Sequence, residues 1–405
     1  MSLIPYTLLY AAVFLINPTI ALVMAAFIVI VNPKTRTRDY YMFYLMLACW
    51  LGVLNMTKQL FSDQIYYAAI FAHADTSDFW DAVVMYRGSE YISWKEIIFN
   101  FYSVVCNILT GANPRAYFFI VTVNIYVLHF LAIHKVLFAS RRTKMEVLCA
   151  ITLMAFFTPF FIQSVHAVRQ ILATAFIIYA IAYRALERKN LWLFIIIAFF
   201  IHNTTIFYIA LALLPQIYRI MSYKQISIFL FVFGLFTVSY VQLGMLMEAV
   251  DIEGGGIAAV GQRLASGNES GSANIFSLRS LLIYAIPLVG ASLLIIMREY
   301  KIRKPTPILP FCYLAIITLM LILSFFQMPT VQFRYQFYLY SLFPFVALFP
   351  FKRGDDLGKF YCLLITGFFT FRFFFSDVDW STYASWNEIL LNPFYHFLTT
   401  QYYLV

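Results

Sequence analysis

The sequence predicts an all-α, polytopic membrane protein with about twelve transmembrane helices, and three observations lead to this prediction. Of its 405 residues, 62% are hydrophobic and only 12% are charged, whereas about a quarter of the residues in a soluble domain are charged. The apolar residues form unbroken runs such as 4–31 and 191–201, while the strands of a membrane barrel alternate polar and apolar residues. Basic residues are concentrated between the runs, as in loops that face the cytoplasm.

A spanning helix needs roughly 20 apolar residues, and twelve segments approach that length. The first run lacks a basic leader and a small-residue cleavage site, so we expect it to be retained as a helix. The predicted spans are residues 5–31, 41–60, 114–138, 146–163, 169–185, 190–202, 203–220, 226–245, 279–297, 307–327, 335–350 and 359–376.

Lysine and arginine set the predicted orientation, because they favour the cytoplasmic side. An arrangement with both termini in the periplasm places 19 of the 28 basic residues inside. The net charge of +9 therefore reflects orientation, and we expect no nucleic-acid partner. The inside loops are residues 32–40, 139–145, 184–190, 216–225, 298–306 and 351–359. Lys135, which flanks the second of these loops, is counted with them.

We expect a single integral-membrane domain over residues 1–405, with two longer segments on the periplasmic side. Residues 61–113 are predicted to form a loop with one short helix near 96–110. That helix is expected at the outer surface, since counting it as a span would place the basic run at 141–144 outside. Residues 246–278 are rich in glycine and serine and predict a flexible loop.

Several arginines fall on the outer side, against the orientation bias. Arg169, Arg334 and Arg279 are each predicted to lie at the start of a helix, where backbone N–H groups carry partial positive charge. Arginine adds a planar fork of donors that suits phosphate oxygens, so these residues predict a pyrophosphate site, with Arg263 closing over it from the loop. The alternative is that the arginines extend to lipid headgroups.

Two histidines are candidates for proton transfer. His202 follows a short apolar segment, but it is equally typical of a buried polar group hydrogen-bonded to Asn203 or Thr205. His166 precedes Arg169 by one helical turn, and the alternative is an interfacial loop residue.

Acidic and aromatic residues occur together after residue 61. Asp63 is followed by Tyr66 and Tyr67, and Asp75 and Asp78 come later in the same segment. Aromatic rings stack on sugar faces and carboxylates bind sugar hydroxyls, so the segment predicts sugar binding, and a carboxylate there is a candidate general base. The alternative is a solvated loop. No His/Cys metal spacing occurs, which favours a site without metal or other cofactor.

Short motifs resemble a known family. Residues 166–173, HAVRQILA, are similar to the N-x-[IV]-R-Q-x-[IL]-A signature of the EpsG/Wzy group of polysaccharide polymerases, with His166 in the place of the usual asparagine. Residues 199–204, FFIHNT, resemble the group's F-H-x-[ST] motif. Residues 55–58 and 62–67 resemble its N-x-T-K and S-D-x-x-x-Y elements, and Lys95-Glu96 resembles its [KY]-E-P element with Ile97 replacing the proline.

The resemblance implies a metal-independent glycosyltransferase of the bacterial inner membrane that joins undecaprenyl-pyrophosphate-linked repeat units at the periplasmic face, as in O-antigen synthesis. Donor and acceptor are both such lipid-linked glycans, and a chain-length regulator is a further partner that it allows. Taken together with the charge and aromatic patterns described above, the candidate residues are Asp63, Glu96, His166 and His202 for catalysis, Lys58, Arg169, Arg263, Arg279 and Arg334 for pyrophosphate, and Tyr66, Tyr67, Asp75, Asp78 and Gln170 for sugar.

Other classes of protein remain open. A lipid-linked oligosaccharide flippase or other transporter would carry charges near the bilayer midplane, an O-antigen ligase would have a similar arginine site with a different acceptor, and a membrane-bound acyltransferase would use a reactive histidine.

Overall fold

The computed structural model describes residues 3–61, 63–86, 96–202, 204–222, 224–225, 227–228, 231, 234, 281–324 and 329–400. Within these ranges the regular structure is helical and contains no β-strand. The predicted loop 246–278, with Arg263, lies outside the described residues, as do Arg279 and most of the predicted span 226–245.

The first twelve helices follow one another along the chain from residue 3 to residue 213. They are α1 Leu3–Ile16, α2 Pro18–Val31, α3 Thr37–Met56, α4 Asp63–His73, α5 Phe79–Val84, α6 Ile97–Thr110, α7 Pro114–Ala139, α8 Lys144–Ala155, α9 Thr158–His166, α10 Val168–Glu187, α11 Trp192–Ile201 and α12 Thr205–Leu213.

The structure describes six further α-helices from residue 286 onwards. They are α13 Ile286–Ile302, α14 Leu309–Ser324, α15 Pro329–Val346, α16 Asp356–Arg372, α17 Trp386–Leu391 and α18 Phe394–Thr399. Short 3-10 or π turns occupy Pro215–Tyr218, Leu281–Ala285, Phe373–Asp377 and Trp380–Thr382.

Local sequence explains where several helices begin. Asn113 caps α7 by accepting hydrogen bonds from the backbone N–H groups of Arg115 and Ala116, and Pro114 takes the first helical position, which needs no backbone donor. Thr143 and Glu146 form a reciprocal capping box at the start of α8. Gly111 ends α6 with a left-handed φ of 59°, a conformation that glycine adopts without steric cost.

The centre of the bundle is α7, which packs between α3 and α10. Side chains along α7, such as Val121, Ile125 and Phe130, are fully buried. Aromatic rings extend this core towards the C-terminal helices, and Phe157 of α9's N-cap stacks on Phe343 of α15 at 4.8 Å. This contact joins the start of α9 to α15.

Other helices keep a wide apolar face on the outside. On α16 the side chains of Leu357, Phe360 and Phe371 are 58%, 62% and 61% exposed, and such a face is stable against lipid rather than water. Four described helices are long and apolar enough to cross a bilayer: Pro114–Ala139, Val168–Glu187, Leu282–Ile302 and Asp356–Asp377. They match four of the predicted spans, while the total of twelve and the positions of the termini remain predictions.

Several predicted spans are not single straight helices. The run 5–31 is divided at Asn17, whose side chain caps α2. The run 146–163 is divided into α8 and α9, which meet at an angle of 48°, and Pro159 in the first turn of α9 cannot continue the preceding helix. Pro215 similarly ends the helical part of 203–220 with a 3-10 turn.

The segment after residue 61 is more helical than expected. The sequence predicted one short helix near 96–110, and α6 confirms it as a helix, but α4 and α5 precede it. Asp78 caps α5 through its side chain, so one of the candidate sugar-binding carboxylates also has a structural role.

Candidate active site

Arg169 is held in place by two residues that are distant in sequence. It lies in the first turn of α10, as predicted, and its Nε donates a hydrogen bond of 2.7 Å to the Tyr67 hydroxyl. Its Nη1 forms an ion pair with the Glu96 carboxylate. The Arg169 side chain keeps 22% of its surface exposed and Glu96 keeps 12%. The guanidinium is therefore fixed in direction while part of it remains accessible to a ligand.

A cavity of about 210 Å³ opens beside Arg169. Its walls come from α4, the α9–α10 junction, the end of α11 and α15, so four separate parts of the chain meet there. The lining residues are Asp63, Tyr67, His166, Ala167, Arg169, Gln170, His202, Phe333, Arg334 and Phe337.

Arg334 lines the same cavity, but it does not lie at a helix start. The sequence predicted that a helix begins near Arg334, and this prediction was wrong: α15 begins at Pro329, which places Arg334 in its second turn. The Arg334 side chain is exposed. Its backbone carbonyl accepts a hydrogen bond of 2.5 Å from Nε2 of the buried Gln170, so Gln170 ties α15 to α10 and sets the separation of the two arginines.

His166 and Lys58 form a pair at the edge of the cavity. The Lys58 Nζ lies 2.9 Å from His166 Nε2, so a protonated Lys58 makes Nε2 a hydrogen-bond acceptor. Burial lowers the pKa of Lys58 to about 8. Lys58 does not line the 210 Å³ cavity itself, and its influence there passes through His166 and through its charge.

His202 ends α11, and its ring is oriented by Thr204. The backbone N–H of Thr204 donates to His202 Nδ1 at 3.2 Å, and the Thr204 hydroxyl lies 2.8 Å from the same nitrogen. A backbone N–H can only donate, so Nδ1 is the unprotonated nitrogen and the proton of the neutral ring is on Nε2. His202 is thereby suited to donate a hydrogen bond rather than to accept a proton.

Asp63 is the most accessible carboxylate of the cavity. It is the first residue of α4 and is exposed, and no hydrogen bond or ion pair joins its side chain to the described residues. Of the two neighbouring tyrosines, Tyr67 is 7% exposed and bonded to Arg169, while Tyr66 is 53% exposed and does not line the cavity.

Asp75 and Asp78 lie elsewhere. They line a different cavity of about 500 Å³ with His73, Asp81 and Tyr86. Asp75 accepts a hydrogen bond from the Ser77 backbone N–H, which lowers the pKa of this exposed carboxyl. The structure does not bring these two carboxylates to Arg169, and their sugar-binding role stays a prediction.

A third cavity shares His166 with the first one. It measures about 520 Å³ and is lined by Lys58, Gln59, Phe61, Ile162, His166, Asp377, Val378, Asp379, Thr382 and Tyr383. Sequence analysis named no candidate after residue 376. The sequence did contain a pattern that could have indicated this cavity, because residues 377–386 combine aspartates with tyrosine and tryptophan, as residues 61–95 do.

Among the described residues, no three His, Cys, Asp or Glu side chains are grouped so as to hold a metal ion. The expectation of a metal-independent site stays a prediction.

A comparison with family models matches residues 40–390 to the model described as the EpsG family. This match includes every residue of the 210 Å³ cavity and of the 520 Å³ cavity. No curated protein and no solved structure matches the chain.

Proposed function

Because the chain belongs to the EpsG family, a family of polysaccharide polymerase-like membrane proteins, we propose that it joins undecaprenyl-pyrophosphate-linked repeat units into a polysaccharide. The observation that carries the proposal is the 210 Å³ cavity, where two arginines, two histidines and a carboxylate meet from four parts of the chain. We place this cavity at the periplasmic face of the bacterial inner membrane.

Arg169 and Arg334 would hold the pyrophosphate of the donor. Each guanidinium presents donors suited to phosphate oxygens, and the backbone N–H groups at the start of α10 add positive potential. Glu96 and Tyr67 position Arg169. As the glycosyl–phosphate bond breaks, negative charge grows on the pyrophosphate, and fixed donors that face this charge lower the barrier.

Asp63 is our candidate for the general base, since it faces the cavity and has no competing partner among the described residues. An acceptor hydroxyl attacks the anomeric carbon of the donor, and the carbon–oxygen bond to the pyrophosphate breaks with its electron pair on the leaving oxygen. Asp63 takes the hydroxyl proton. His202 Nε2–H donates a hydrogen bond to a substrate oxygen, and Glu96 is committed to Arg169.

Reconstitution of the purified full chain with a lipid-linked repeat unit tests the proposal. A polymerase converts the substrate into a ladder of longer lipid-linked glycans and releases undecaprenyl pyrophosphate. Movement of the unchanged substrate between leaflets would indicate a flippase, and growth only after lipid A is added would indicate a ligase. Either result without a ladder would contradict the proposal.

A further inference from the structure

Lys58 and His166 meet because two helix ends are held side by side. Lys58 lies just after α3 ends at Met56, and His166 is the last residue of α9. The two residues are 108 positions apart in the sequence, yet Lys58 Nζ lies 2.9 Å from His166 Nε2. A hydrogen bond of this length tolerates little displacement, so the relative position of α3 and α9 decides whether the contact forms.

The helices α3 and α9 have different main neighbours. Helix α3 packs chiefly on α2 and α7, whereas α9 packs chiefly on α7, α10 and α15. The loop after α3 is also fastened to the C-terminal segment, because the Gln59 backbone N–H donates to the Thr382 carbonyl at 2.7 Å. These contacts do not join the end of α3 directly to the end of α9, where Lys58 and His166 meet.

Asn55 makes this direct connection. It lies in the last turn of α3 and is buried. Its Nδ2 donates a hydrogen bond of 2.9 Å to the hydroxyl of Ser164, a fully buried residue in the last turn of α9. Asn55 precedes Lys58, and Ser164 precedes His166, by about one helical turn or less. The hydrogen bond therefore joins the same two helix ends as the contact between Lys58 and His166.

A second hydrogen bond fixes the direction of the first. The Ser164 hydroxyl donates to the Phe161 carbonyl at 2.7 Å, so its oxygen can only accept from Asn55. Asn55 Nδ2 also donates to the Thr122 hydroxyl of α7 at 3.1 Å. Asn55 Oδ1 has no partner among the described residues, so Nδ2 is the atom that holds this amide between α7 and α9.

The contact with Lys58 determines where His166 carries its proton. An ammonium group can only donate, so the proton of the neutral His166 ring is on Nδ1. Burial and the charge of Lys58 lower the pKa of His166 to about 4, and burial lowers the pKa of Lys58 to about 8. Lys58 is therefore the member of the pair that titrates just above neutral pH. The other titratable or charged groups that line the two cavities around His166 are Asp63, Tyr67, Arg169, His202, Arg334, Asp377, Asp379 and Tyr383.

We propose that Asn55 is a positioning residue of the 210 Å³ cavity: by binding Ser164 it keeps the Lys58 ammonium group against His166 Nε2 and so fixes His166 as the Nδ1–H tautomer. This inference rests on the proposed function, since His166 lines the cavity assigned to the pyrophosphate. Asn55 is buried and lines neither cavity, so it acts through other residues. A ring held in one tautomer presents the same hydrogen-bonding groups to each incoming substrate.

Nitrogen-15 labelling of the histidines in the purified full-length protein tests the proposal, because the nitrogen chemical shifts distinguish the two tautomers. The His166 signal is identified by its absence in His166→Asn. Asn55→Ala and Ser164→Ala break the same hydrogen bond from opposite ends. The matched control is Thr122→Val, which removes the other hydrogen bond of the same amide. Thermal unfolding checks that each variant folds.

We expect the wild-type chain at pH 7 to hold His166 as the Nδ1–H tautomer in about tenfold excess or more, as one hydrogen bond to a charged group provides. This excess should fall as Lys58 is neutralised, with a midpoint near pH 8. Asn55→Ala and Ser164→Ala should each lose the excess and its dependence on pH, while Thr122→Val keeps both. Chain extension should slow about threefold to tenfold in the first two variants only.

The outcomes separate this proposal from the proposed function. A wild-type His166 signal in either Asn55→Ala or Ser164→Ala overturns the positioning role, and so does wild-type extension despite a changed signal. An equal change in Thr122→Val also overturns it, because the effect then belongs to the packing of α3 in general. Absence of a ladder with the wild-type chain overturns the proposed function, and the nitrogen signals still decide whether Asn55 aligns Lys58 with His166.

Discussion

The carboxylates near the α4–α6 region fall into two groups with different partners. In the Arg169 cavity, hydrogen bonds join residues that are 102 and 73 positions apart, from Arg169 to Tyr67 and to Glu96. In the Asp75–Asp78 cavity, the carboxylates bond to backbone groups two or three positions away. Local contacts shape a turn, whereas distant ones bring separate segments together, so the difference separates a structural use of carboxylates from the proposed catalytic use.

The largest effect is expected at Arg169. Arg169→Ala removes the guanidinium that Glu96 and Tyr67 orient, and we expect chain extension to fall about a thousandfold, as when a preorganised donor is lost from a transition state. Arg169→Lys keeps the charge without the fork of donors and should give an intermediate loss. Ladder formation by reconstituted protein measures both.

Lys189→Ala is the matched control, because it removes an exposed cation just beyond the other end of α10. Equal rates for Arg169→Ala and Lys189→Ala would show that the Arg169 contacts are structural only.

The next effect concerns Asp63. Asp63→Asn preserves size but cannot take a proton, and we expect extension to slow about a hundredfold with little change in the affinity for undecaprenyl pyrophosphate. Pre-steady-state measurement of the first sugar transfer checks this. A wild-type rate would assign the base elsewhere, and His166 would be the next candidate in the cavity.

A smaller effect follows from Lys58, whose pKa burial lowers to about 8. The lowered pKa means that Lys58 is a cation below pH 8 and becomes neutral as the pH rises above it, which removes a positive charge beside His166. We expect the affinity for undecaprenyl pyrophosphate to weaken about threefold from pH 7 to pH 9. The change is small because Lys58 does not line the cavity and acts on the ligand only at a distance.

Lys58→Arg keeps its charge over this range, so its affinity for undecaprenyl pyrophosphate should not change between pH 7 and pH 9. An unchanged fall in the variant would place the titrating group at another residue.

The smallest effect is expected in the other cavity. The variant with both Asp75→Asn and Asp78→Asn retains an oxygen that accepts the turn and cap hydrogen bonds, and asparagine caps helices as well as aspartate does. We expect chain extension within about twofold of wild type and an unchanged thermal midpoint. A loss comparable to that of Asp63→Asn would erase the distinction between the two groups and support a sugar contact at Asp75 or Asp78.

The sequence predicted much of the site because its residues stand near the ends of apolar helices, where charge is unexpected. Arg169 at the start of α10 and His202 at the end of α11 were both found this way. The start of α15 was predicted near Arg334, five residues too late. A hydropathy pattern does not mark the polar first turn of this helix as helical. The bend between α8 and α9 was missed for a related reason, as both sides of it are apolar.

What the sequence alone could not supply is the pairing of distant segments. Nothing in residues 55–58 indicates that Lys58 meets His166, and nothing near residue 96 indicates that Glu96 meets Arg169. Both contacts depend on how α3, α6 and α9 pack, which is a property of tertiary structure. The wall formed by residues 377–383 was overlooked because it follows the last apolar run and resembles a polar tail.

That tail has a practical consequence for anyone who shortens or tags the chain. The backbone bond between Gln59 and Thr382 fastens a segment near the beginning to one near the end, and Asn17 and Asn113 bond to carbonyls of Leu390 and Leu398. A truncation after residue 376 would keep every long apolar helix and still expose the Lys58 loop. Residues 382–398 therefore fasten the C-terminal segment to three earlier parts of the chain, and a fusion partner is best attached after them.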